Sequence, residues 1–200
     1  MAPAEPTAAR PGRPRSARAD KAIMEAVLDL LAEEGGVAGI SMEAVAARAG
    51  VGKSTVYRRW PDKERLIVAA LAALKGPLPE PPGRSAREDL LVLARAIAAE
   101  HSGRRGRCVW NALGGADKHP ELMNRYREEV LEPRRELMRR VLRRGIAAGE
   151  LRADLDVEAV VTVLVGAMTM PGRAPAPFDD DVAERLPDMV VDVLMRGIGV

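Results

Sequence analysis

The sequence is short of the residues on which most catalytic and metal chemistry depends. Its 200 residues include one cysteine, Cys108, and two histidines, His101 and His119. A single cysteine excludes an internal disulfide framework. Each histidine falls near a predicted helix end, where it reads as a surface group or a partner for the helix dipole. Aromatic residues make up only 2% of the chain, so its cores must be built from Leu, Val, Ala, Ile and Met. No run approaches 18 consecutive apolar residues, so no transmembrane helix is expected. The N-terminus lacks the apolar stretch of a secretory signal, and a cytoplasmic protein is the expectation. No alternating strand pattern and no internal repeat occur. Metal-ligand spacings are missing, and Gly103 to Gly106 lacks the strand and the Lys-Ser/Thr of a phosphate loop. Cys108 reads as a small core residue, and Asp179, Asp180 and Asp181 as acids favoured at a helix N-terminus. Catalytic residues: none; metal: none; cofactors: none.

What is present is enough to fold. Hydrophobic residues are 47% of the chain, a globular proportion. The net charge of +2 says little by itself. Its distribution says more: residues 1–76 carry 12 Lys/Arg against 9 Asp/Glu, and the remainder 19 against 20.

The basic excess coincides with a distinctive stretch, Ser41 to Leu66. Ser41 is a good N-cap, and Met42, Val45, Ala46 and Ala49 follow at helical spacing. Gly50 stands where a helix needs a left-handed residue to stop. Gly52 opens a second helix, Lys53–Arg59, crowded with polar and basic side chains. Trp60 and Pro61 end it, and Asp62 caps the next helix, with Lys63 in its first turn. Two short helices, a glycine-containing turn and a basic second helix form a helix-turn-helix, whose second helix enters the DNA major groove.

This run resembles the DNA-binding signature of tetracycline-repressor-like (TetR-family) transcriptional regulators. It matches that pattern at Ala49, Gly50, Val51, Thr55, Val56, Tyr57, Trp60, Lys63, Glu64 and Leu66. Gly52 stands where the family usually has Ser, and Trp60 where it usually has Phe. The resemblance implies that Ser41 and Met42 approach phosphate at the start of their helix. By the same resemblance Gly52, Lys53, Ser54, Thr55 and Arg58 line the groove side, while Tyr57 and Lys63 hold phosphates. Lys53, Arg58 and Arg59 are the candidates to reach guanine acceptors.

Around this stretch the chain divides into three parts. Residues 1–15, with four prolines, read as a disordered basic arm. Residues 16–76 are the helix-turn-helix domain, in which Ile23, Ala26, Val27, Leu30 and Leu31 give the first helix a core stripe. Residues 84–200 follow a Pro/Gly-rich break and are helical again. There Ser85 and Glu88 form a capping box, a short helix covers about Cys108–Leu113, and a long helix runs from Pro120 to about Gly149. Pro133 should kink that helix. Pro171–Pro177 reads as a loop, and the last helix spans about Asp180–Ile198.

The expected fold is therefore all-α, with an N-terminal helix-turn-helix domain and a helical effector-binding and dimerisation domain. The resemblance implies a repressor, not an enzyme, that binds a palindromic operator on double-stranded DNA as a homodimer and leaves it when a small, largely apolar ligand binds. Trp110, Leu113, Met123, Tyr126, Met138 and Met168 are the candidates to line a cavity. Val160, Val161, Leu164 and Met168, with Val190, Val193 and Leu194, are the candidate dimer interface. The competing classes are a helical metabolite-binding protein or enzyme with an incidental helix-turn-helix, and a nucleoid protein without sequence preference.

Overall fold

The computed structural model describes residues 17–33, 36–101, 103–114, 118–169 and 180–199. The arm at residues 1–15 and the loop expected at Pro171–Pro177 lie outside them. Among the described residues the chain is all-helical, with one isolated antiparallel bridge between Leu151 and Gly199.

Helix α1 (Ala17–Glu33) turns Ile23, Ala26, Val27, Leu30 and Leu31 into the core. A single 3₁₀ turn (Val37–Gly39) leads to α2 (Met42–Arg48), α3 (Lys53–Tyr57) and α4 (Lys63–Lys75). Two of these starts are set by side-chain caps, because the first N–H groups of a helix have no partner within it. The Ala44 N–H donates to Ser41 Oγ at 3.1 Å, and the Arg65 N–H to Asp62 Oδ1 at 2.7 Å. Gly50 has φ 65°, the left-handed value that lets the chain leave α2 and enter α3 within a few residues.

Residues 76–82 carry no helix. Helix α5 (Ala86–Glu100) starts at Ser85, whose Oγ accepts from the Glu88 N–H at 3.2 Å. Helix α6 (Gly103–Leu113) is longer than its sequence suggests. Gly103 is its first residue, and Gly106 lies inside it. At Gly106 a Cβ would overlap the His101 carbonyl, so the glycine lets α6 pack tightly on the end of α5.

The long helix expected from Pro120 to Gly149 is three segments. They are α7 (Pro120–Tyr126), a π-helical turn (Arg127–Leu131) and α8 (Glu132–Ala147). The Glu132 N–H bonds to the Arg127 carbonyl, five residues back. Pro133 then falls in the first turn of α8, where its missing N–H costs nothing. The wide turn thus replaces the expected sharp kink. Helix α9 (Val157–Thr169) is capped by Asp156, and α10 (Asp180–Ile198) carries Pro187 in its interior.

Two apolar cores form. The first joins α1 to α4 with Val109 and Ala112 of α6, Leu122 and Tyr126 of α7, and Val130. The second joins α5, α8, α9 and α10 through residues such as Leu90, Leu93, Met138, Leu142, Leu164 and Val191. The helix-turn-helix head therefore shares its core with α6 and α7, and α4 packs directly against α7. The non-helical stretch at 76–82 breaks the helix run but not the packing. Ion pairs fasten the second layer: Arg87 to Asp192 and Arg95 to Asp188 join α5 to α10, and Arg139 joins α8 to Glu158 of α9.

Candidate nucleic-acid interface and cavity

Helices α2 and α3 are too short to stand alone, since an isolated helix of this length is unstable in water. Val45, Ala46 and Val56 anchor them in the first core, with Val56 fully buried. That anchoring fixes which side of α3 faces outward. Lys53, Ser54, Tyr57 and Arg58 are exposed there, and Thr55 is half-buried. The N-cap of α3 is Gly52, which makes no side-chain cap. No side chain therefore caps the start of α3, and the Thr55 N–H donates to the Gly52 carbonyl at 2.8 Å. Ser41 is exposed, whereas the Met42 side chain is buried. Only the Met42 backbone can face a phosphate.

Two side chains depart from their expected roles, and a third joins the site without one. Arg59 turns away from the groove side: its guanidinium pairs with Asp20 of α1 and donates to the Thr55 carbonyl at 3.0 Å, with 9% of the side chain exposed. It fastens α3 to α1, and a group so held cannot also reach a guanine edge. Lys63 is half-buried and donates to the Val37 carbonyl at 3.3 Å, which ties α4 to the 3₁₀ turn. Glu43 was not anticipated at all. Its Oε1 lies 3.5 Å from both Lys53 Nζ and the Tyr57 hydroxyl, so one carboxylate positions two of the expected DNA contacts. Its place in the first turn of α2, three residues before the buried Ala46, is an exposed position that periodicity alone does not distinguish.

Behind the head lies a cavity of about 260 Å³. Of the six expected lining residues, Trp110, Leu113, Tyr126 and Met138 lie on its wall. Met123 and Met168 do not: Met123 packs against the first core and Met168 is buried in the second. Ile97, Val109, Leu131 and Val165 complete the apolar surface.

One side of the wall is charged, contrary to the expectation of few charges. Lys75, from the end of α4, places Nζ 3.3 Å from Glu100 Oε2 and 3.3 Å from His101 Nε2. Arg134 Nη2 donates to both Glu100 oxygens, at 2.5 and 2.6 Å, and its Nη1 donates to the Gly76 carbonyl at 2.7 Å. His101 Nδ1 sits 2.8 Å from the Ile97 carbonyl. A carbonyl only accepts, so Nδ1 carries the proton and Nε2 is free to accept from Lys75. Burial, with Lys75 next to it, holds His101 below the ordinary histidine range, in agreement with a neutral ring. Burial also draws Lys75 below the usual lysine range, while Glu100 works against that. The Tyr126 hydroxyl is buried without a hydrogen-bond partner among the described residues, and burial pushes its pKa well up, so it remains an O–H donor.

These charges had a signature in the sequence. Ile67, Leu71 and Lys75 are spaced by four, as are Tyr126, Val130 and Arg134, and Glu100 follows Ile97 by three. Each charge continues an apolar stripe inward.

Of the expected interface residues, Val160, Val161, Leu164 and Met168 are buried within the chain's own second core, and their apolar surface is already covered. Val190 and Leu194 are half-buried against that core. Val193 is 68% exposed, and Val163 and Met189 are also exposed on α9 and α10.

A core-anchored pair of short helices presenting a polar, basic second helix defines a helix-turn-helix DNA-binding protein. Residues 23–70 match the family described as bacterial regulatory proteins of the tetR family, and residues 80–190 match the tetracyclin repressor-like C-terminal domain. The chain belongs to the TetR family of transcriptional regulators. It is 33% identical over 78% of its length, and 78% of the other's, to the HTH-type transcriptional regulator YdeS of Bacillus subtilis. It is 27% identical to the DNA-binding transcriptional repressor TetR of Mycobacteroides abscessus, over 92% of this chain and 96% of that one. In fold it is similar to the regulator FadR of Bacillus subtilis, solved in complex with stearoyl-CoA: TM-score 0.65, 18% identity, 89% of this chain and 98% of that one. The protein is thus a DNA-binding transcriptional regulator and not an enzyme. Among the described residues no helix is long and apolar enough to cross a membrane.

Proposed function

We propose that the protein is a cytoplasmic, homodimeric repressor that holds a near-palindromic operator and releases it when a small, largely apolar ligand enters the cavity. The observation that carries this reading is the course of α4. Its first residue, Lys63, belongs to the reading head, and its last, Lys75, belongs to the cavity wall. A ligand that moves the far end of α4 has a rigid lever to the head. It changes DNA affinity only if it favours one arrangement of two heads over another. A coupling of about 1–3 kcal/mol corresponds to roughly 5–150-fold release.

One short recognition helix reads few bases, so specificity calls for two heads on half-sites about 34–36 Å apart. Val163, Met189 and Val193 support α9 and α10 as the joining surface, since they are exposed and apolar in the single chain. FadR of Bacillus subtilis, of the same fold, was solved with stearoyl-CoA, which supports a ligand-responsive reading of this chain.

The test combines site selection from random duplex DNA with a Val193→Asp variant. The wild type is expected to enrich an inverted repeat. The variant should remain folded, sediment as a monomer and bind the selected site at least tenfold more weakly. A tight-binding dimer from the Val193→Asp chain would remove this interface. Enrichment of a site without inverted symmetry would remove the paired-head reading.

A further inference from the structure

Several features of the molecule invite a further role, and most are already spent. The exposed apolar residues of α9 and α10 belong to the proposed dimer. Cys108 is buried, and its thiol donates to the Leu28 carbonyl at 3.3 Å. The ion network around Arg139 fastens α8 to α9. The charged side of the cavity is different: it joins α4, α5 and α8, yet it also lines an open chamber behind the reading head.

We infer that the cavity takes a small amphipathic acid, with its carboxylate seated beside Lys75 and Arg134 as a second anion alongside Glu100 and its apolar body against Trp110, Leu113 and Met138. The inference deepens the ligand-release reading and rests on it for its consequence, though not for its chemistry.

The charge balance is the first argument. Two cations, Lys75 and Arg134, face a single carboxylate, Glu100, with His101 neutral between them. The cluster therefore carries an excess positive charge in a largely buried place. Buried charge left without a counter-ion is costly, so a site of this composition favours one further anion. The second argument is the Tyr126 hydroxyl, which lines the same cavity, is buried and has no hydrogen-bond partner among the described residues. An O–H donor left in that state is stabilised by an incoming acceptor. Tyr126 also senses both Arg134 and Glu100 electrostatically, so donor and cations address one region. Arg134 grips both Glu100 oxygens through a single nitrogen rather than a fork-to-fork pair. A second carboxylate can share the two cations with a carboxylate held in that way.

Size limits the remainder of the ligand. A cavity of about 260 Å³ holds roughly nine water-sized groups, which suits an acid of about eight carbons. The seat also explains how the ligand would be felt elsewhere. Lys75 ends α4, and Arg134 holds the Gly76 carbonyl at that helix's C-terminus. Re-pairing either cation pulls directly on α4.

The experiment compares three probes with one apolar body: octanoate, octan-1-ol and octylammonium. Each is titrated at neutral pH into the full chain carrying Trp60→Phe, so that Trp110 alone reports binding. Phe is the residue usual at that position in the family pattern. Octanoate is expected to saturate at least tenfold more tightly than octan-1-ol, and octylammonium more weakly than either. Lys75→Met should abolish the preference for octanoate over octan-1-ol. Glu100→Gln, which leaves both cations free, should tighten octanoate by roughly tenfold or more while leaving octan-1-ol unchanged. Octylammonium or octan-1-ol binding as tightly as octanoate would overturn the proposal, as would octanoate that fails to saturate or a Glu100→Gln chain with unaltered octanoate affinity. Operator affinity is measured in parallel. Octanoate that binds in this pattern without releasing DNA sustains the proposed seat and sinks the release reading alone.

Discussion

In the reading head, Lys53 and Arg58 stand exposed, and Glu43, itself on the surface, lies 3.5 Å from Lys53. Beyond α4, Lys75, Arg134 and Glu100 meet with side chains only 4, 11 and 9% exposed. The same kinds of charge are used in opposite ways. On the head they are weakly held and available to DNA phosphates, which bind by displacing counterions. In the cavity they are held by one another, and a ligand must break into an existing arrangement. Surface charge gives affinity for a partner that is itself highly charged, whereas buried charge selects among small partners.

The comparison breaks most readily at Arg134. Arg134→Ala leaves Glu100 buried with Lys75 alone and is expected to cost about 3 kcal/mol or more in urea unfolding. Arg48→Ala, which removes the exposed pair with Glu33 at 2.8 Å, should cost within about 1 kcal/mol. Equal losses from the two would erase the distinction between buried and exposed charge.

A finer contrast lies within the head, between two adjacent arginines. Arg59→Ala should destabilise the fold by about 1–3 kcal/mol, because its guanidinium joins α3 to α1. Arg58→Ala should leave the melting temperature nearly unchanged and relax base preference at one position, at roughly 1–3 kcal/mol. The crossed measurement, stability and site selection for both variants, would show the roles reversed if Arg59 were the reader.

The smallest effect is in pH. His101 is held neutral among Lys75, Glu100, Arg134 and Trp110, with its folded pKa below the ordinary 6.5. In the unfolded chain it takes up a proton as the pH falls through about 6.5. The folded state then binds fewer protons than the unfolded state, so stability decreases as pH falls from about 6.5 toward the folded pKa. The slope is at most about 1.4 kcal/mol per pH unit. Glu33 and Glu158, whose pKa values are lowered from 4.5 by Arg48 and Arg139, act only at more acid pH. His101→Gln should flatten the curve between pH 6.5 and 5. An undiminished slope in that variant would place the titration elsewhere.

The two regions also differed in how far the sequence disclosed them. The head is encoded in one continuous run of residues, where cap, glycine and periodicity succeed one another at fixed spacing, so α2, α3 and α4 were legible. Which basic residue points outward was not, because Arg58 and Arg59 differ only by the rotation that Val56 imposes. The cavity draws Lys75, His101, Trp110, Tyr126 and Arg134 from α4, the end of α5, α6, α7 and α8. Its apolar members were legible as large residues in the second half. Its charges continue apolar stripes, but each stands at the end of a different stripe and acquires its partner only in the folded chain, so spacing alone does not bring them together. The buried Val160, Val161, Leu164 and Met168 were misassigned for a related reason: apolarity on a helix does not say whether the surface that covers it belongs to the same chain.

The π-helical turn at Arg127–Leu131 bears on how this cavity can vary. A wide turn amounts to one extra residue accommodated within an otherwise regular helix. Its presence sets the angular phase between everything before it and everything after it. Tyr126 lies on one side of the turn and Arg134 on the other, and both face the same cavity. Eight residues of regular helix advance by about 800°, which would set Tyr126 and Arg134 about 80° apart around the axis; the extra residue taken up by the wide turn brings phenol and guanidinium onto one side. Deleting one residue from the turn would restore ordinary winding with α7 and α8 close to their present phase. The chamber can therefore lose the wide turn to a single-codon deletion and keep its chemistry, whereas straightening the turn at constant length would not.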